Sequence, residues 1–285
     1  MISRSAKITI VGLGLLGGSY AKGFFNAGYR NVYGIDIDEE AIAFAKKYGW
    51  IKEGGDDVNL VKDSDIIISA LYPTTFISWV KENQHLFKKD CILTDVTGIK
   101  EEVMKEIRSF LRSDVEFIPC HPMAGREYKG IHYADPSLFF DANFIIIKDE
   151  NTSSRALEVA QDIAKILKFK HVVTLNAKQH DEMIGFLSQL THVIAVSLMN
   201  VNDNTNLAEY TGDSFRDLTR IAKINEDLWP ELFLLNKENL SKEISSFVDE
   251  LNAFKKLLEE EDKEGMKEKL IQSTKRRKKF DEEAL

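Results

Sequence analysis

What most constrains the fold is a pattern that changes part-way along the chain. Up to about residue 175, short apolar runs alternate with amphipathic stretches: KITIVG (7–12), NVYGID (31–36), DIIISA (65–70), CILTDV (91–96), VEFIP (115–119), NFIIIK (143–148) and HVVTL (171–175). Most are rich in Val and Ile and too short for a buried helix, so each is read as a strand. Their apolar character is continuous, which implies burial on both faces. Helical spacing between most of the runs supplies the crossovers that a mostly parallel sheet requires. Beyond about residue 176 the strands vanish, and helices are predicted over 177–202, 206–222, 227–238, 240–260 and 262–280. The expected architecture is an α/β domain over residues 1–175 followed by an all-helical domain over residues 176–285.

The first strand runs into Gly12-Leu13-Gly14-Leu15-Leu16-Gly17. Glycine weakens both strands and helices, so three at this spacing imply that something approaches the backbone closely. A lone GxGxxG is a weak signal. Here a strand precedes it, a helical stretch (SYAKGFFNAG) follows, and the second strand ends at Asp36, 19 positions beyond Gly17. That context fits a dinucleotide fingerprint and a Rossmann-type sheet. Gly12 permits the tight turn, Gly14 admits a pyrophosphate, and Gly17 lets the helix pack on the strand. The phosphates then rest on backbone N–H groups around Leu15 and Leu16 at the helix N-terminus. Asp36 accepts from the adenosine ribose hydroxyls, and its charge repels a 2′-phosphate, which favours NAD over NADP. Leu71, just after the strand at 65–70, is assigned to the cofactor side. The competing reading is an ordinary glycine-rich turn.

Composition narrows the field. A formal charge of −8 argues against a general nucleic-acid surface. Only two cysteines, Cys91 and Cys120, occur, in or beside apolar runs, and they read as reduced thiols of a cytoplasmic protein. MISRSAK leads straight into the first strand, so no signal peptide is expected. The apolar stretch near 184–199 carries Ser188, Gln189, Thr191 and His192, and is expected to be a buried helix rather than a membrane span. The basic run in TKRRKKFDEEAL reads as a solvated helix end.

A second constellation lies in FIPCHPMAGREYKG (117–130), where His121 leaves a strand at the carboxyl edge of the sheet. Ligands bind at that edge, and a histidine there exchanges protons near neutral pH. A loop histidine without chemistry is the plain alternative. Downstream, FLSQLTHVIAVSLMN sets His192 in an apolar helix, and GDSFRDLTRIAKINEDLW supplies Arg216 and Arg220. Taken with VGLGLLGGS, DVTGIK, HPMAG, Glu127 and Trp229, these stretches resemble the prephenate dehydrogenase family and its arogenate-specific members, over residues 8–229 in the family's order. HPMAG and FRDLTRIA are far more diagnostic than the glycines.

The resemblance implies a Rossmann-type domain joined to a helical dimerisation domain, and a homodimer. It implies oxidative decarboxylation of prephenate by NAD, giving 4-hydroxyphenylpyruvate, CO2 and NADH. His121 then takes the ring hydroxyl proton and must be neutral, with a pKa expected near the ordinary value of about 6.5. Arg220 binds a substrate carboxylate, and His192 is an orienting donor; its alternative is a satisfied core histidine. Many relatives carry a serine where this chain has Gly98, and Thr97 is the candidate to supply that hydroxyl to substrate. Glu127 is placed on the polar rim. Asp181 is expected in the same rim network, in an ion pair or at a partner subunit. Eleven residues separate it from His192, about 16 Å along a helix, although both are expected on one helix face. Asp213 adds an acid near an anionic substrate. No C-terminal regulatory domain is expected. The alternatives are arogenate as substrate, another two-domain NAD(P) oxidoreductase of the β-hydroxyacid dehydrogenase type, or a nucleotide-sensing protein without turnover. The β-hydroxyacid type uses a lysine base, and a sensor has no need of His121, His192 and Arg220 together.

Overall fold

The computed structural model describes residues 1–125, 128–204 and 206–283. Six parallel strands come first: β1 (Ile8–Val11), β2 (Val32–Ile35), β3 (Glu53–Gly55), β4 (Ile66–Ser69), β5 (Ile92–Asp95) and β6 (Glu116–Phe117). Their order is β3-β2-β1-β4-β5-β6, the doubly wound arrangement in which a ligand crevice opens between β1 and β4. Side chains alternate in pointing to the two faces. Ile8, Ile10, Ile66, Ile68 and Ile92 join one buried cluster, while Val11, Ile67 and Leu93 join the other. Both faces are covered, which is why the strands read as continuous apolar runs.

Crossovers are made by α1 (Leu15–Asn26), α2 (Glu39–Lys47), α3 (Pro73–Asn83) and α4 (Glu101–Phe110). Asp38 caps α2 by accepting from Glu40 N and Ala41 N. A second, three-stranded sheet follows: β7 (Cys120–Pro122), β8 (Asn143–Ile147) and β9 (His171–Leu175), with β7 antiparallel and β9 parallel to β8. The helix α5 (Ser154–Ile166) connects β8 to β9. Two strands escape the sequence pattern. β3 reads EGG, with no apolar run, and its Gly54 lies where a Cβ would come within 2.9 Å of the Gly34 carbonyl oxygen. β7 carries His121 and Pro122. It survives as an edge strand because an edge tolerates a missing N–H.

The helical part begins with α6 (Ala177–Ile184), passes through a π-helical segment at Gly185–Leu190, and continues as α7 (Thr191–Asn200). Next come α8 (Leu207–Tyr210), α9 (Asp213–Thr219) and α10 (Leu228–Leu235). Pro230 falls in the first turn of α10, where its missing N–H has no helical acceptor. Residues 1–236 form one compact unit, so these helices pack with the α/β part. Residues 237–285 form a second unit, a hairpin of α11 (Lys237–Glu259) and α12 (Lys263–Glu283) bridged by Lys269–Glu250 at 2.7 Å. The basic run at 275–279 is exposed along α12, as a solvated helix face.

One expectation needs correcting here. The apolar helix near 184–199 is not a buried helix of the single chain. Only 28% of the most apolar window in Ala177–Asn200 is buried, and that helix is long and apolar enough, by length and composition, to cross a membrane. Met183, Phe186, Leu187 and Met199 all stand exposed. The apolar residues there cover more of the helix circumference than the α/β part can bury.

Candidate active site

The glycine turn is built by close approach. Gly12 has φ +90°, open to glycine without strain, and a Cβ there would lie 2.8 Å from the Ala70 carbonyl oxygen and 3.2 Å from Leu71 Cδ2. The turn is therefore pressed against the end of β4. Gly17 is tighter, since its Cβ would fall 1.7 Å from the Gly12 carbonyl oxygen. Gly14 is the opposite: a Cβ there would meet no protein atom within 4 Å. Beside that open face α1 starts without a side-chain cap, leaving the N–H groups of Leu15, Leu16 and Gly17 directed out of the helix end. Asp36 accepts from Leu13 N on one carboxylate oxygen and from Asp38 N at 2.9 Å on the other. It lines a cavity of about 430 Å³ with Ile42, Lys46, Gly55 and Asp56. An open glycine face, a bare helix N-terminus and an acid at the end of β2 fit a dinucleotide.

At the end of β5 lies a buried ion pair. Asp95 ends β5 and takes Lys100 Nζ at 2.6 Å, with both side chains fully buried. Lys100 also donates to the Cys120 carbonyl at 2.6 Å and to the Thr97 hydroxyl at 3.2 Å, while Thr97 donates to Asp95. The second Asp95 oxygen accepts Cys120 N at 3.3 Å. The pair thus grips both backbone groups of the residue that precedes His121.

His121 is half-buried and pairs with Ile145 across β7 and β8. Its Nδ1 lies 2.9 Å from His180 Nε2, and His180 Nδ1 lies 2.6 Å from Asp181 Oδ1. Both His180 and Asp181 are buried on α6. Asp181 also accepts Lys100 N at 2.9 Å and Glu101 N at 2.8 Å, so the N-terminus of α4 supports its charge. Burial pushes the His121 pKa well below its ordinary value, and His180 and Lys100 add to the fall. Burial also lowers His180, against the pull of Asp181. Both rings are therefore neutral at neutral pH. On the far edge of His121, a Cβ at Gly98 would lie 3.8 Å from Nε2 and 3.7 Å from both Leu232 methyls. Nε2 faces Gly98 and the side of α10.

α10 leads on to the second histidine. Trp229, one turn before Leu232, packs tilted against His192 with ring centroids 3.8 Å apart. His192 Nδ1 donates to the Ser188 carbonyl at 2.8 Å. Arg220 is exposed in the 3-10 turn Arg220–Ala222, which packs on α7. At the other side of α10, Glu231 accepts the N–H and hydroxyl of Thr74 at the start of α3, and Asn225 donates to the Tyr72 hydroxyl at 2.8 Å. The helical segment is thereby tied to the loop holding Leu71.

Comparison with known proteins decides the class of this site. Residues 22–173 match the family model for the prephenate dehydrogenase nucleotide-binding domain, and residues 176–272 match that for the prephenate dehydrogenase dimerization domain. The chain belongs to the prephenate dehydrogenase family. It is 28% identical over 267 residues to the prephenate dehydrogenase of Bacillus subtilis, covering 91% of this chain and 72% of that one. It is 31% identical over 256 residues to that of Lactococcus lactis, covering 86% and 69%. The structure of prephenate dehydrogenase from Aquifex aeolicus, in complex with hydroxyphenyl propionate and NAD+, superposes with a TM-score of 0.89 at 29% identity, covering 98% and 99% of the two chains. The protein is an oxidoreductase.

Within this prephenate dehydrogenase family member, several site expectations change. The His121 pKa is not near 6.5, because the imidazole is desolvated and faces Lys100. Asp181 is not on a rim: it is 1% exposed and caps α4. The shared face expected for Asp181 and His192 is not continuous either, since the π-helical segment breaks the register between them. Thr97 is 4% exposed and its hydroxyl is turned inward onto Asp95, so it supports the loop instead of presenting a hydroxyl outward. Asp213 is exposed and lies 3.7 Å from Arg216. Glu127 lies outside the described residues. His180 was not singled out, and Asp95 and Lys100 were quoted only as the two ends of DVTGIK, without a role of their own. For His180 the available signal was its adjacency to Asp181 at the start of a helix.

Proposed function

We propose that the chain oxidises prephenate with NAD, releasing CO2 and forming 4-hydroxyphenylpyruvate and NADH. The observation that carries this reading is His121: a neutral imidazole whose Nδ1 is engaged by His180 and whose Nε2 lies on the side of Gly98 and α10. A bare, neutral nitrogen is what removal of a hydroxyl proton requires. NAD, held by Gly12, Gly14, Leu15, Leu16, Gly17 and Asp36 with Leu71 beside the turn, supplies the two-electron acceptor. Arg220 meets a substrate carboxylate as a guanidinium fork. His192 Nδ1 donates to the Ser188 carbonyl, which orients its ring beside Trp229.

The helical part from residue 176 onward builds a homodimer through the exposed apolar face around Phe186 and Leu187. The protein works in the cytoplasm. Burial pushes the Cys91 and Cys120 thiols up to about 12, so both stay protonated and unreactive.

The test is steady-state kinetics with each pairing of prephenate or arogenate with NAD or NADP. The reading expects kcat/KM to be highest for prephenate with NAD, and Asp36→Ala to narrow the cofactor preference. Higher kcat/KM with arogenate moves the assignment to arogenate dehydrogenase, and equal use of both cofactors removes the role given to Asp36.

A further inference from the structure

We propose that His180, backed by Asp181, is a positioning residue that fixes the tautomer of His121. The inference rests on the base role given to His121 above and deepens it.

The argument is one of donors and acceptors. Asp181 receives two backbone N–H groups, from Lys100 and Glu101, so its carboxylate is an acceptor. The His180 Nδ1 that lies 2.6 Å from it must therefore carry the hydrogen. A neutral imidazole has one N–H, which leaves His180 Nε2 as a lone pair. The His121 Nδ1 that lies 2.9 Å from that lone pair must in turn be the donor. His121 then has its hydrogen on Nδ1 and a bare Nε2, the atom on the Gly98 and Leu232 side. If the chain ran the other way, Nε2 would carry a hydrogen and could take no proton.

The surroundings protect this polarity. Lys100 faces the cluster from the buried side, but its ammonium is tied to Asp95, Thr97 and the Cys120 carbonyl. Asn236 donates to the Asp181 carbonyl at 2.9 Å, holding this turn of α6 in place. When His121 takes a proton on Nε2 it becomes an imidazolium. Its Nδ1–H still donates to His180, whose Nδ1–H still donates to the Asp181 carboxylate. The same chain that orients the base thus supports its charged form, without moving a second proton.

The test reads protonation directly. Protein labelled with 15N in histidine is examined by NMR, with His121 assigned by comparison with His121→Asn. The expected wild-type spectrum shows a protonated Nδ1 and an unprotonated Nε2. His180→Phe removes the acceptor and should shift His121 toward the Nε2–H tautomer. Its kcat with prephenate and NAD should fall by at least about tenfold, toward the 10²–10⁴-fold typical of a lost general base, with KM within about threefold of wild type. His180→Gln keeps an acceptor oxygen and should retain the wild-type tautomer and most of the rate. A wild-type His121 protonated on Nε2 overturns the proposal. So does a His180→Phe variant with wild-type tautomer and wild-type kcat. If the tautomers are as expected but prephenate gives no NADH, His180 keeps its role and the substrate reading falls instead.

Discussion

Lys100→Met removes the cation at the centre of the buried network and leaves its shape nearly unchanged. Lys100 and Asp95 are both fully buried and 2.6 Å apart, so the variant strands an uncompensated carboxylate beneath the site. It also deprives the Cys120 carbonyl of its donor at 2.6 Å. Breaking a buried ion pair from one side costs about 3–5 kcal/mol. At about 2–4 °C per kcal/mol for a chain of this size, the melting temperature should drop by about 6–20 °C. Removing both charges, as in Lys100→Met with Asp95→Asn, should recover part of that loss, because the penalty lies in the orphaned charge and not in the pair. The assay is thermal and urea unfolding of the wild type, both single variants and the double variant. Lys100→Met has a second signature, because Lys100 helps to hold the His121 pKa down: the acid limb of the kcat/KM profile should move to higher pH. A Lys100→Met stability within about 1 kcal/mol of wild type, or a double variant worse than both singles combined, would refute the reasoning.

Other expectations follow from the same geometry. The His121 pKa is depressed, so kcat/KM for prephenate should stay flat as pH falls through 6.5 and decline only well below it; an acid limb centred at 6.5 or above contradicts this. His121 and His180 are both lowered on folding, so the unfolded chain binds more protons below about 6.5, and thermal stability should fall as pH drops from there toward the folded pKa values. Gly17→Ala puts a methyl 1.7 Å from a carbonyl oxygen and should abolish NAD binding by calorimetry, whereas Gly98→Ser meets only contacts of 3.7–3.8 Å and should keep stability within about 1 kcal/mol. Phe186→Asp charges the exposed apolar face of the 177–200 helix, and light scattering should report a shift from dimer to monomer.

The parallel sheet was legible because each of its apolar strands carries its own burial signature. Ile66, Ile67 and Ile68 are apolar in succession because the two faces of β4 bury into different clusters. β3 was not legible, since Gly54 is there to let Ile51 and the Gly34 backbone come close, and close approach leaves no apolar pattern. His121 could be singled out from its place at a strand exit and from the stretch HPMAG. His180 could not, because what defines it is a partner 59 positions away, which no periodicity encodes. Asp181 was seen but misplaced. A carboxylate near a helix start usually faces water, and only the fold shows that α4 begins directly against this one. Lys100 was passed over for the same reason: a lysine is read as exposed unless an acid is known to wait for it.

The central claim is tested most directly by the rate of NADH formation from prephenate, followed at 340 nm, a wavelength where NADH absorbs and NAD does not, for the wild type and His121→Asn under saturating substrate and cofactor. The account predicts prephenate-dependent NADH formation with one CO2 released per NADH, and a kcat for His121→Asn reduced on the order of 10²–10⁴-fold with KM largely kept. No NADH from prephenate, or a His121→Asn variant with near-normal kcat, would contradict it.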